Sequence, residues 1–186
     1  MRLAMFCGSK PGNQPNFSEG VAQLGQVLGQ RGVHVVYGGG KVGLMGVIAD
    51  AALAAGSEVH GVITENLLHK EIGHPGLTHL EVVASMHDRK ARMADLADGF
   101  VALPGGAGTL DEIFEAWTWA QLGYHNKPVC FYNIDGFFAP LFDMIDAMVS
   151  NGFLREDFQQ QLIITDNPDD LINCVEEYQP PKQKWS

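Results

Sequence analysis

The chain has 186 residues, of which 46% are hydrophobic and 18% are charged, a composition typical of one globular domain. Its 12 basic and 22 acidic residues give a net charge of −10. This charge argues against nucleic acid or an anionic membrane as the main partner, because both bind basic surfaces. The apolar runs are shorter than the roughly 18 residues of a membrane helix, and the three cysteines are too widely spread for a disulfide framework or a zinc ribbon. We therefore expect a cytoplasmic protein without a signal peptide.

Short apolar runs alternate along the chain with longer amphipathic segments. Candidate strands occupy residues 3–7, 33–37, 58–63, 80–83, 100–103, 129–132 and 162–164. Candidate helices occupy residues 17–30, 42–55, 86–97, 109–122, 137–151 and 169–178. Several strands are apolar throughout, which is typical of parallel strands that are buried on both faces. The alternation predicts an α/β fold, with a Rossmann-like, doubly wound and mainly parallel sheet covered by helices on both faces.

The C-terminal segment is separated from the last predicted helix by two prolines. We expect residues 1–178 to form one nucleotide-binding domain, because no linker or low-complexity tract interrupts them. Residues 179–186 then form a tail, since proline cannot continue a helix. Trp185 is a candidate anchor for this tail on the domain surface.

Glycine-rich turns follow three of the predicted strands. Gly8 and Ser9 follow the first strand, residues 38–40 follow the second, and residues 105–108 follow the fifth. In open α/β sheets, ligands bind outside the carboxyl ends of the strands, and glycine lets the backbone approach a ligand closely. Three such turns at one edge suggest a ligand that carries phosphate. The alternative is that each turn only ends its strand.

Residues 38–43 match the pattern G-x-G-x-x-G between a strand and a helix. A dinucleotide fingerprint should lie on the first βα turn, with an acid at the end of the following strand. Here the pattern lies on the second turn, and Glu58 stands at the start of the next strand. The match is therefore weak evidence for NAD. The chain has no G-x-x-x-x-G-K-[ST], which excludes a P-loop.

The segment P-G-G-A-G-T-L-D-E at residues 104–112 carries a stronger signal. Its glycines expose backbone amides just before a predicted helix, where the helix dipole favours an anion. Thr109 is a candidate helix cap and phosphate ligand. Glu112 lies in the first helical turn and is directed towards the same ligand, although it could equally compensate the dipole. Glu115 and Thr118 continue a polar row on this helix.

A second polar segment, S-M-H-D-R-K, opens the helix before the fifth strand. Ser85 is a candidate N-cap, and Arg89 and Lys90 supply two adjacent cations in an acidic chain. Neighbouring helical residues point about 100° apart, so the two cations need not reach one ligand. The alternative is a solvated helix face.

Three histidines recur every five residues at His69, His74 and His79. This is not the spacing of a helical metal pair, and glycine and proline lie between them. We expect exposed loop histidines and no metal site. Cys7, at the end of the first strand, is expected to be a small buried hydrophobe rather than a nucleophile.

Taken together, these motifs resemble the Lonely Guy family of cytokinin riboside 5′-monophosphate phosphoribohydrolases, whose bacterial members are often labelled lysine decarboxylases. The family's P-G-G-x-G-T-x-x-E is intact at residues 104–112, its M-H-x-R-K at 86–90 and its G-G-G-x-x-G-L-M-G at 38–46. Residues 118–123 and 151–153 also fit the family. The resemblance covers residues 2–178, and no motif position departs from it.

The resemblance implies hydrolysis of the N-glycosidic bond of adenosine 5′-monophosphate or its N6-substituted forms, which releases the free base and ribose 5-phosphate. By position, Arg89 and Glu112 would be the catalytic pair. Arginine is a poor proton donor because its pKa lies above about 12, so Arg89 would hold the phosphate or the base. The candidate substrate-binding residues are Gly8, Ser9, Glu71, Met86, Arg89, Lys90, Gly105, Gly106, Ala107, Gly108, Thr109, Leu110, Asp111, Glu112, Glu115 and Thr118.

The family also implies a homodimer, or a higher oligomer, with the site close to the subunit interface. We expect the helices at residues 86–97 and 109–122 to form this interface through Phe114, Trp117 and Trp119. No cofactor is implied. Lysine decarboxylation would need a pyridoxal phosphate Schiff base, for which no site is recognisable. A non-catalytic nucleotide-binding protein and an NAD-dependent oxidoreductase remain the alternatives.

Overall fold

The computed structural model describes residues 1–71 and 73–180, and of residue 71 only the main chain. The described strands are β1 (Arg2–Phe6), β2 (His34–Tyr37), β3 (Val59–Thr64), β4 (His79–Val83), β5 (Gly99–Ala102), β6 (Val129–Tyr132) and β7 (Ile163–Thr165). They form one parallel sheet in the order β4-β3-β2-β1-β5-β6-β7. The predicted doubly wound fold is confirmed, and the strand bounds agree with the prediction to within one residue.

The helices cover both faces of the sheet. They are α1 (Pro15–Gln30), α2 (Gly43–Ala54), α3 (Glu65–Glu71), α4 (Met86–Leu96), α5 (Ala107–Gln121), α6 (Ala139–Ser150), α7 (Glu156–Gln160) and α8 (Pro168–Glu176). The sequence did not predict α3 and α7, because helices this short show little periodicity. A 3₁₀ turn at Ile134–Gly136 precedes α6, which therefore begins two residues later than predicted. Ser85 is the N-cap of α4 as predicted, and its hydroxyl accepts the Asp88 N–H at 3.1 Å.

Side chains of β1 alternate between two hydrophobic cores. Leu3 and Met5 pack into the core beneath α1, α2 and α8, whereas Ala4 and Phe6 pack against the opposite face. All four are at least 95% buried. Burying a Leu, Met or Phe side chain stabilises the fold by about 1.5–3 kcal/mol. The central strand is therefore anchored from both sides, which fixes the loop that follows it.

The strand order reverses between β1 and β5, and the loops after these strands meet there. The Gly8 N–H donates to the Pro104 carbonyl at 3.1 Å, which ties the two loops together. The Leu44 N–H at the start of α2 donates to the Gly8 carbonyl at 3.0 Å. The three glycine-rich turns thus lie at one edge of the sheet, where doubly wound folds bind ligands.

Across residues 1–71 and 73–180, no helix combines the length and apolarity needed to cross a membrane. The prediction that Trp185 anchors the C-terminal tail falls outside the described residues.

Candidate active site

A cleft of about 420 Å³ opens at the carboxyl edge of the sheet, between the β1–α1 loop, α4 and the start of α5. This volume is in the range of small-molecule sites. The cleft brings together predicted site residues from three segments of the chain: Gly8, Ser9, Met86, Arg89, Gly106, Ala107, Gly108, Thr109, Asp111 and Glu112. Met5, Met45 and Leu67 also line it and were missed by the sequence analysis. Their apolar side chains look like core residues in the sequence, so only the fold assigns them to the cleft.

The start of α5 forms the anion-binding wall of the cleft. Gly106, not Thr109, is the N-cap, and no side chain caps the helix there. The prediction that Thr109 is the cap is therefore wrong, because residues 107 and 108 are already helical. Leu110 donates the first intrahelical hydrogen bond, to the Gly106 carbonyl at 3.2 Å. The amides of residues 107–109 consequently have no partner within the helix, and such amides attract phosphate.

Thr109 is 97% buried in the third position of this helix. Its hydroxyl oxygen lies over Gly105, since a Cβ built on Gly105 would fall 2.1 Å from Oγ1. The same Cβ would fall 2.9 Å from the backbone nitrogen of Gly8. Gly105 is therefore required by close packing between the two loops, whereas a Cβ on Gly106 would meet open space.

Arg89 is 95% buried and extends from α4 across the ends of two strands. Its Nε donates to the Val62 carbonyl at 2.9 Å, and Nη2 donates to the Gly38 carbonyl at 3.1 Å. The alternative interpretation of Arg89 as part of a solvated helix face is wrong. The structure instead holds the guanidinium in one orientation at the inner wall of the cleft.

Arg89 also faces Glu112 across the cleft wall. The distance from Nη1 to Oε1 is 3.5 Å, and the Glu112 side chain is only 15% exposed. A fixed guanidinium stabilises the ionised carboxylate and restrains its position. A carboxylate placed next to an anion cradle can stabilise positive charge on a bound sugar or activate a water molecule.

Lys90 points away from Arg89, as the helical geometry predicts. Its Nζ lies 3.0 Å from a Glu115 oxygen and 3.2 Å from an Asp111 oxygen. Burial lowers the pKa of Lys90, but hydrogen bonds and charge from Glu115 and Asp111 outweigh burial and raise it above its ordinary value. Arg89 and Lys90 therefore tie α4 to α5 through three ion pairs, with Glu112, Glu115 and Asp111.

Several predicted binding residues lie beside the cleft rather than in its lining. Lys90 and Glu115 pair with each other, and Thr118 is exposed farther along α5. Leu110 packs against the hydrophobic core. Gly105 lines a neighbouring cleft. The side chain of Glu71 is outside the described part of the structure, and the substrate-binding roles of all these residues stay predictions.

His74 stabilises the turn that follows β2. The His74 N–H donates to the Gly39 carbonyl at 2.9 Å, and Nε2 lies 2.9 Å from an Asp50 oxygen. The Gly76 N–H donates to Nδ1, which assigns the ring hydrogen to Nε2. The expectation that His74 is an exposed loop residue is wrong, because the loop after α3 folds back over the glycine turn.

The other two histidines of this series lie within regular elements and are exposed. His69 belongs to α3 and His79 begins β4. Among the described residues, no three His, Cys, Asp or Glu side chains are arranged to hold a metal ion.

The aromatic residues of α5 divide between core and surface. Trp117 is 95% buried in the core of this chain, and its ring centroid lies 5.5 Å from that of Phe114. The expectation that Trp117 reaches a partner subunit is therefore wrong, because its helix face is turned towards the sheet. Trp119 is partly exposed and lines a surface cleft of about 480 Å³ together with His87 and Tyr124.

Sequence comparison relates this chain to a set of plant proteins. The pattern of a family described as "Possible lysine decarboxylase" matches residues 45–175. The cytokinin riboside 5′-monophosphate phosphoribohydrolase LOG of Oryza sativa is 43% identical over 179 residues, covering 96% of this chain and 74% of the relative. A cytokinin riboside 5′-monophosphate phosphoribohydrolase of Arabidopsis thaliana is 44% identical over 179 residues, covering 96% and 82%.

Solved structures with the same fold are more distant in sequence. A molybdenum cofactor binding protein from Rippkaea orientalis superposes with a TM-score of 0.70 at 21% identity, covering 95% of each chain. The molybdenum cofactor carrier protein from Chlamydomonas reinhardtii gives a TM-score of 0.70 at 18% identity, again covering 95% of each chain. At these identities the likeness extends to the fold alone.

Proposed function

The chain belongs to the family of cytokinin riboside 5′-monophosphate phosphoribohydrolases, and we propose that it hydrolyses the N-glycosidic bond of adenosine 5′-monophosphate and its N6-substituted forms. The products are the free base and ribose 5-phosphate. One observation carries this proposal: Glu112 is held by Arg89 in the same cleft as the amide cradle of residues 107–109.

In the proposed mechanism, the phosphate binds the amides at the start of α5, and Glu112 faces the sugar. Cleavage of the bond between C1′ and the base builds positive charge on the ribose. The Glu112 carboxylate stabilises this charge and removes a proton from the water that attacks C1′. The base leaves with the electron pair of the broken bond and takes a proton from solvent.

Arg89 acts through Glu112 in this mechanism. Arginine side chains are poor acids, so no proton transfer is assigned to Arg89. Two of its nitrogens are bound to the carbonyl oxygens of Val62 and Gly38, which leaves Nη1 to face Glu112. The arginine therefore restrains the carboxylate and orients it towards the sugar.

The proposal is tested by incubating the protein with AMP and measuring adenine and ribose 5-phosphate by chromatography. Glu112→Gln keeps the shape of the side chain and removes its charge, so kcat should fall by about 10²-fold or more. A matched control is Glu177→Gln at the end of α8, which should retain wild-type kcat. Adenosine lacks the 5′-phosphate that binds the amides at the start of α5, so it should be cleaved at least about 10³-fold less efficiently than AMP.

Other results of these measurements support the alternatives. Binding of AMP without release of adenine would identify a non-catalytic nucleotide-binding protein. A change in nicotinamide absorbance on turnover would indicate an NAD-dependent oxidoreductase. Equal cleavage of AMP and adenosine would mean that the glycine turn has only a structural role.

We also propose that the enzyme works as a homodimer in the cytoplasm. The surface beside α4 and α5 supports the dimer, since Trp119 lines an open cleft there and Tyr124 is 76% exposed. Met86, at the start of α4, is exposed as well and also lines the active cleft. A partner bound here would lie next to the substrate. The cysteine spacing in the sequence supports a reducing compartment.

A further inference from the structure

Three consecutive glycines form the turn after β2, and Arg89 is anchored to this turn. Its Nε donates to the carbonyl of Val62, which belongs to the regular strand β3, and its Nη2 donates to the Gly38 carbonyl. The first bond alone would let the guanidinium rotate about the N–H···O axis. The second bond fixes the plane in which Nη1 faces Glu112. The orientation of Arg89 therefore depends on where the turn places the Gly38 carbonyl.

The turn cannot hold this position with side chains of its own, because residues 38–40 are all glycine. Glycine has more conformational freedom to lose on folding than any other residue. Gly39 nevertheless has to be glycine, since its φ is +78° and a Cβ there would fall 3.0 Å from Leu80 Cδ1. A Cβ on Gly61 would likewise fall 2.8 Å from Gly39 Cα. Groups outside the turn must therefore restrain it.

Tyr37 restrains the turn from the side of the hydrophobic core. Its side chain is fully buried, and its hydroxyl donates to the Gly40 carbonyl at 3.0 Å. Burial raises the pKa of Tyr37 well above its ordinary value, and Cys7 and Asp50 raise it further. The hydroxyl therefore keeps its proton and remains a hydrogen-bond donor to the turn.

His74 restrains the turn from the loop that folds over it. Its N–H donates to the Gly39 carbonyl at 2.9 Å, and Gly40 forms an antiparallel bridge with Gly73. The residue is only 8% exposed, and its ring is bound at both nitrogens, by Asp50 on α2 and by a backbone N–H of the same loop. The fixed ring holds the backbone of the loop in place, and the loop in turn holds the glycines.

We propose that Tyr37 and His74 are positioning residues that act on catalysis through Arg89. They bind the two carbonyls that follow the Gly38 carbonyl, so that three successive carbonyls of the turn each have a fixed partner. Neither residue lines the active cleft. The inference rests on the proposed function, in which Arg89 orients Glu112.

Tyr37→Phe tests the first positioning residue by removing one oxygen and keeping the ring. A misplacement of about 1 Å costs about 10²-fold in rate, and a loosened turn shifts the guanidinium by less, so kcat for AMP should fall by about tenfold. KM should stay close to the wild-type value, because the amides proposed to bind the phosphate belong to α5. Tyr132→Phe is the matched control. Tyr132 is also buried but lies on β6, so this variant should keep wild-type kcat.

His74→Ala tests the second positioning residue and should lower kcat in the same way. His74→Gln should restore part of the rate, because the glutamine amide can donate to Asp50. His34→Ala is the matched control, since His34 accepts a backbone N–H at the other end of β2, and it should keep wild-type kcat. Rates are compared at a temperature where urea denaturation shows every variant folded. A lower free energy of unfolding with wild-type kcat in both Tyr37→Phe and His74→Ala would overturn the inference.

Two measurements show whether the effect passes through Arg89. Added to Arg89→Ala, neither Tyr37→Phe nor His74→Ala should lower kcat further, and fully additive losses would overturn the inference. NMR of the arginine side chains follows the guanidinium without turnover. The Nη hydrogens of Arg89 should give separate signals in the wild type that merge in Tyr37→Phe. Signals that the substitution leaves unchanged would overturn the inference, whereas a wild type that releases no adenine from AMP would refute the proposed function.

Discussion

Replacing Gly38 by alanine is expected to disable the enzyme by moving Arg89. A Cβ on Gly38 would fall 2.1 Å from Arg89 Nη2. Non-bonded heavy atoms settle at about 3.5 Å, so the guanidinium must retreat by roughly 1.4 Å. The retreat breaks the bond from Nη2 to the Gly38 carbonyl and shifts Nη1 relative to Glu112. Since a misplacement of about 1 Å costs about 10²-fold in rate, kcat for AMP should fall by about 100-fold.

The fold should survive this substitution. Gly38 is not among the glycines with positive φ, so alanine fits its backbone conformation. The clash involves the far end of a flexible side chain rather than the main chain. Loss of one charge-assisted hydrogen bond costs about 1.5–3 kcal/mol, which is less than the about 5–15 kcal/mol that stabilises a typical domain. Urea denaturation measures this loss, and kcat is then compared at a temperature where both proteins are folded.

A double-mutant cycle with Arg89→Ala tests the cause of the lost activity. If Gly38→Ala acts only through the guanidinium, adding it to Arg89→Ala should lower kcat no further. Fully additive losses would show that Gly38 acts by another route. Wild-type kcat in the single Gly38→Ala variant would refute the view that the position of Arg89 controls Glu112.

Two further predictions concern pH and assembly. Burial lowers the pKa of His125 from its ordinary 6.5, so the unfolded chain binds a proton at this residue more readily than the folded protein does. The stability that is present above pH 6.5 is therefore lost as the pH falls through the lowered value. Between about pH 7.5 and 5.5, the free energy of unfolding measured with urea should fall more for the wild type than for His125→Gln. Equal decreases in the two proteins would contradict this account. The proposed homodimer should appear in light scattering as a species of twice the chain mass. Trp119→Glu should convert it to monomer, whereas Met144→Glu on α6 should not, and a fully active wild-type monomer would refute the dimer.

The fold could be predicted because its signals are local. Each strand is a short apolar run bounded by glycine or polar residues, and each long helix repeats its apolar positions over three or more turns. The short helix α3 at Glu65–Glu71 was not predicted. It follows β3 without a turn and ends near Gly73, so it is too short for its one apolar face to be recognised in the sequence. The local pattern also fails to predict where α5 begins. The predicted start was Thr109, but the helix begins two residues earlier, at Ala107 and Gly108.

The candidate site was only partly predictable, because its geometry depends on contacts between distant segments. The sequence identified Arg89 and Glu112 through motifs. It could not reveal that Arg89 binds Val62 and Gly38, which are 27 and 51 residues away. The burial of His74 likewise follows from a loop that folds back on Asp50, and neither residue type nor spacing indicates that contact.

The three ion pairs between α4 and α5 leave the active cleft without a net positive charge. Arg89 faces Glu112, and Lys90 is shared between Asp111 and Glu115, so three acids face two cations. An arriving phosphate therefore encounters the amide dipoles of α5, whose influence fades within about one helical turn. Long-range attraction of a dianion needs a net positive field, which salt screens beyond about 10 Å at 0.1 M ionic strength. Because the protein as a whole carries a net charge of −10, nucleotide association should be slow for a charged ligand and should become faster as added salt screens the repulsion.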